Sequence, residues 1–121
     1  MPKALIIVDT APYGTATCAE AFRTITGLAG MDIETATVLV GDGVFVAKRG
    51  QNPSLIGMKS LEEAYSMLGD FGAKLYIVRE SIEERNLKEE DLIPADKIIT
   101  MDEFRKLIEE SHCIITFHAG G

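Results

Sequence analysis

Residues 4–23 read ALIIVDTAPYGTATCAEAFR. Five apolar residues in a row are followed by a break at Pro12 and Gly14, and then by a helical pattern with Cys18 near its start. An uninterrupted β-branched run, in place of strict alternation, is what a strand needs when both of its faces are covered, as in a parallel sheet. Similar runs recur at TATVLV (35–40), KLYIV (74–78), KII (97–99) and CIITF (113–117). Helical patterns separate them. The alternation predicts a single α/β domain over residues 1–121, a three-layer fold around a mostly parallel five-stranded sheet.

The helix starts carry a hydroxyl residue followed three places later by glutamate, a pairing that satisfies backbone N–H groups otherwise left without partners. Thr17 and Glu20 open the first helix by this reading, Ser60 and Glu63 the second, Ser81 and Glu84 a short third, and Thr100 and Glu103 the last. The inward stripes are Ala21, Phe22, Ile25 and Leu28, then Leu61, Ala64, Tyr65 and Leu68, and finally Met101, Phe104, Leu107 and Ile108. Gly30, Gly69 and Asn86 are the expected stops of the first three. Residues 43–58, GVFVAKRGQNPSLIGM, read as a short helix and a loop with more apolar residues than one exposed connection carries, which suggests a subunit contact.

At 121 residues, with 46% apolar and 26% charged side chains, the chain is large enough to bury roughly two-thirds of its unfolded surface. No apolar run approaches a membrane span. The segment MPKALIIVDT reads as a first strand and not as a signal peptide, so the expected location is the cytoplasm. Cys18 and Cys113 form no metal or disulfide spacing and are expected to be free thiols. The net charge of -7 opposes binding to phosphate backbones, so no nucleic-acid partner is expected.

Reactive groups in open parallel sheets collect beyond the carboxyl ends of the strands. Those positions hold Asp9, Tyr13 and Cys18, then Asp42, then Arg79 and Glu80, Thr100, and His118. GDGVFV lacks the third glycine of a dinucleotide loop and TAPYGTAT lacks the GK pair of a phosphate loop, so no nucleotide cofactor is expected. His112 and His118 bracket a strand, about 20 Å apart, too far for one metal ion. His118 reads as part of a mobile tail. Cys18 in a helical first turn has two readings: a thiolate favoured by the helix dipole, or a small apolar residue tucked under the sheet. Cys113, which starts an apolar strand, is expected to be buried. A strand order of 2-1-3-4-5 would set the first and last strands about 14 Å apart and keep His118 away from Cys18.

The segments TAPYGT, GDGVF, GQNP (50–53), the run from YIV into SIEERNL (76–87) and IITF (114–117) together resemble the DsrE/DsrF-like sulfur-relay family, nearest its DsrF and TusC branch. The resemblance implies a small five-stranded α/β subunit of trimers or hexamers. Its members pass persulfide sulfur between proteins, in sulfur oxidation or in thiolation of a tRNA uridine. Sulfur-accepting members carry a cysteine at the end of the third strand, where this chain has Val78. The resemblance therefore implies a relay or accessory subunit, more than a stand-alone enzyme, that works with related subunits or sulfurtransferases and lacks the usual carrier, unless Cys18 has replaced it. The alternative is an oligomeric binding or regulatory module without sulfur chemistry, taking a small anion near Gly14, Thr15 and Arg79.

Overall fold

Strand β1 (Ala4–Val8) is buried along its whole length, and so is β2 (Thr35–Leu39), as their unbroken apolar runs require. The computed structural model describes residues 3–12, 16–50 and 61–118. Three further strands, β3 (Lys74–Val78), β4 (Lys97–Ile99) and β5 (Cys113–Phe117), complete one sheet in the order β4-β3-β2-β1-β5. Every pairing is parallel. The 2-1-3-4-5 order is therefore corrected: β5 lies directly beside β1.

Handedness explains that placement. The chain steps from β1 to β4 in one direction, and the intervening helices α1 (Thr17–Gly30), α2 (Leu61–Ser66) and α3 (Arg79–Glu84) all pack on the first face of the sheet, with Cys18, Ile25, Leu61, Tyr65 and Ile82 in one core cluster. The return to β5 runs the opposite way. A right-handed crossover in that direction must cross the other face, where α4 (Met101–Glu110) packs Phe104, Met101, Leu107 and Ile108 on Leu5, Ile7, Val38 and Val78. Among the described residues one helix covers the second face. β5 is left as a largely exposed edge strand, with Ile114 at 42% exposure.

Local chemistry sets the helix limits. Thr100 caps α4: its hydroxyl accepts from the Glu103 amide while the Glu103 carboxylate accepts from the Thr100 amide, the full reciprocal box. The other two testable starts differ from the sequence reading. Ala16 takes the cap position of α1, so Thr17 is the first helical residue. α3 begins at Arg79 immediately after β3, and Ser81 sits inside it with its Oγ accepting from the Gly41 amide at 2.9 Å. Gly69 does not stop the second helix; a 3-10 turn over Leu68–Phe71 continues past it to Gly72, whose φ of 82° supplies the left-handed ending.

After β2 a 3-10 helix over Gly41–Ala47 folds back on the strand ends. Val44, Val46 and Ala47 are fully buried in the main cluster. The apolar residues at 43–47 are thus largely consumed by the chain's own core, while residues 51–58 of the stretch read as a subunit contact lie outside the described residues. Gly43 permits the approach, because a Cβ at this position would lie 2.0 Å from the Val8 carbonyl oxygen.

Candidate functional site

The carboxyl ends of the strands bring most of the expected residues to one rim, in two separate corners. Between β3 and β4 the outgoing connections diverge, α3 to the first face and α4 to the second. Divergent connections open the crevice in which parallel sheets bind ligands. Here it is occupied from within. Val78 ends β3 with no exposed surface and packs on the α4 side. The Glu80 carboxylate accepts from the Met101 amide at 3.0 and 3.1 Å, adding a second cap to the start of α4 beside Thr100. Arg79 is exposed next to it.

The opposite corner joins β1 and β5. Their register pairs Val8 with Phe117, and the next step sets Asp9 beside His118. The Asp9 amide donates to the Phe117 carbonyl at 3.3 Å, and the Asp9 carboxylate lies 2.6 Å from His118 Nδ1. His118 is therefore held by the sheet, not left in a mobile tail. Next along the rim, Asp42 receives the Arg85 guanidinium at 3.1 Å, while Arg85 also reaches Glu84 and the Ser81 carbonyl. Sequence spacing gave no signal for Arg85, which lies 43 positions from Asp42.

Cys18 is in the first turn of α1 and has no exposed surface. Its thiol donates to the Thr10 and Ala11 carbonyls at 3.6 and 3.5 Å, fastening the loop that leaves β1. Burial pushes its pKa up to about 11 from 9.0. The cause is desolvation, and the ordinary state is the neutral thiol. The Tyr65 hydroxyl donates to the Cys18 carbonyl at 2.8 Å, and burial, with the Cys18 thiol beside it, drives the Tyr65 pKa upward. The exposed thiol is Cys113. Its expected burial fails because β5 is an edge strand that α4 does not cover. Tyr13, Gly14 and Thr15, Ser60, and most of the GQNP segment lie outside the described residues. Among the described residues no group of three metal-ligating side chains is present, and no helix is long and apolar enough to cross a membrane.

Fold and rim define a small all-parallel α/β unit whose polar groups line one edge and whose last strand is open. The chain belongs to the DsrE/DsrF-like family, whose model matches residues 3–117. It is 34% identical over 110 residues to the intracellular sulfur oxidation protein DsrF of Allochromatium vinosum, covering 88% of this chain and 81% of that protein. A TusC homolog of Pseudomonas aeruginosa is 28% identical over 113 residues, covering 93% and 95%. Among solved structures, the YchN protein of E. coli matches with a TM-score of 0.85 at 21% identity, over 97% of this chain and 100% of that one. At that identity the match shows the shared fold.

Proposed function

We propose that the chain is a subunit of an intracellular sulfur relay that does not itself carry the sulfur. The relay reading rests on the similarity to DsrF and to the TusC homolog. The non-carrying role is supported by the filled β3–β4 crevice: Val78, which the family resemblance sets at the position of the sulfur-accepting members' cysteine, is buried, and Glu80 is bound to the first turn of α4. Cys18 offers no substitute, since a persulfide acceptor has to present an accessible thiolate and this thiol is buried and neutral.

Such a subunit acts by contact with cysteine-bearing relatives or with a sulfurtransferase, in the cytoplasm, within a trimer or hexamer. Persulfide delivery to sulfur oxidation or to tRNA thiolation is the process it serves. The open β5 edge is available for that contact. Reconstitution tests the reading: the chain is mixed with a cysteine-bearing family relative, the complex is sized by light scattering, and sulfur delivery to an acceptor thiol is timed. A defined complex that delivers faster than the relative alone is expected. Absence of both association and acceleration would overturn it.

A further inference from the structure

The Asp9–His118 pair belongs neither to the closed crevice nor to the core. Two strands at opposite ends of the sequence meet to form it, 109 positions apart. The register of β1 on β5 sets the two residues side by side, and the Asp9 amide to Phe117 carbonyl bond fixes the backbone beneath them. A carboxylate only accepts, so Nδ1 is the donor in the 2.6 Å contact, and no described residue bonds to Nε2. His118 is 61% exposed at its side chain and Asp9 31%, so Nε2 is open to a group brought from outside. Among the described residues the neighbouring Arg85 holds Asp42 and Glu84, and the ion-pair partner of the Asp9 carboxylate is His118. The other histidine, His112, lies at the far end of β5.

We propose that His118 is a general acid–base residue for thiol–persulfide exchange between partners docked at the β1–β5 corner, with Asp9 as its positioning residue; this rests on the relay reading. An attacking thiol R–SH gives its proton to His118 Nε2. The thiolate forms a new bond to the terminal sulfur of R′–S–SH, and the R′S–SH bond breaks with its electron pair on R′–S⁻. The imidazolium returns the proton to that sulfur, giving R–S–SH and R′–SH with no net change in oxidation state. An imidazole suits this work because its unperturbed range spans neutral pH and lets it serve in both directions. An exposed pair contributes little to stability, so substitutions here leave the fold intact.

The test uses the full chain with a persulfide-loaded cysteine-bearing relative and a thiol acceptor, timing transfer between about pH 5 and pH 8. His118→Gln is expected to slow transfer about 100-fold near neutral pH, the lower end of what positioned proton transfer supplies. It should also erase the limb of the pH profile that the histidine contributes, with complex affinity by calorimetry unchanged. Asp9→Asn should slow transfer about tenfold, a smaller loss than removal of the base itself, and added imidazole should restore His118→Gly. If the wild type accelerates transfer but His118→Gln does so within about twofold, with the same pH profile, acid–base assistance worth the expected range is absent and the dyad assignment fails while the relay reading stands. If the wild type neither associates nor accelerates, both fail.

Discussion

The two corners of the carboxyl rim are built in opposite ways. At β3–β4 the chain fills its own crevice: Val78 is fully buried and Glu80 is held by the Met101 amide. At β1–β5 it leaves a hydrogen-bonded, exposed imidazole and an edge strand that no helix covers among the described residues. The chain's own side chains thus fill one corner of the rim and leave the other exposed. What separates the corners is the side on which a connection leaves. α4 packs over β3–β4 and its start is doubly capped, whereas no helix follows β5 within the described residues.

The contrast extends to the two cysteines, where the largest effect is expected. With mild alkylation at neutral pH, Cys113 should react at least about 100-fold faster than Cys18, because attack needs an exposed thiolate. Burial denies Cys18 both conditions. Peptide mapping over time checks this, and equal rates would remove the burial argument. Gly43→Ala probes the junction between the corners. Its Cβ would lie 2.0 Å from backbone oxygen, and a loss of about 3 kcal/mol or more is expected in urea unfolding, since the strand end and the 3-10 helix must part.

Sequence reading reached some of this and not the rest, for identifiable reasons. The strand runs were legible because apolar continuity is itself the signature of burial on both faces. β4 and β5 break the same rule silently: CIITF reads like a core strand, yet it is an edge, because exposure depends on strand order and order depends on which face α4 crosses. Thr100 was legible as a cap because the helix starts where its box does. Ser81 misled because α3 follows β3 without a loop, so a residue suited to capping ended inside the helix and bonded to Gly41. Asp9 and His118 were both visible as strand-end residues. Their meeting was not, since no local pattern reports a contact between the first strand and the last.

Two smaller effects sharpen the comparison. Thr100→Ala should cost about 1 kcal/mol by removing the cap of α4, loosening the closed corner while leaving Asp9 and His118 in place; a shift in the His118 signals by NMR would show that the corners are coupled. The Glu103 carboxyl in the same cap is held below its usual range by the hydrogen bond from Lys97 and then by the Thr100 amide. A folded-state pKa that is depressed gives stability present above the unfolded value and lost as pH falls through the folded one. Wild type should therefore lose more stability than Glu103→Gln on acidification below about pH 4, as followed by thermal unfolding. The smallest effect is expected in the core. Thr37 is fully buried and its hydroxyl has no hydrogen-bond partner among the described residues, so Thr37→Val should be neutral or stabilising by up to about 1 kcal/mol in urea unfolding.

The central claim is that this chain passes no sulfur through Cys18. Intact-mass analysis of the Cys113→Ser variant tests it most directly, because Cys18 is then the one thiol left. The variant is incubated with a cysteine desulfurase and cysteine beside a cysteine-bearing relative. The account predicts added sulfur on the relative and none on the variant. Added sulfur on the variant, lost again when Cys18 is also replaced by alanine, would contradict it.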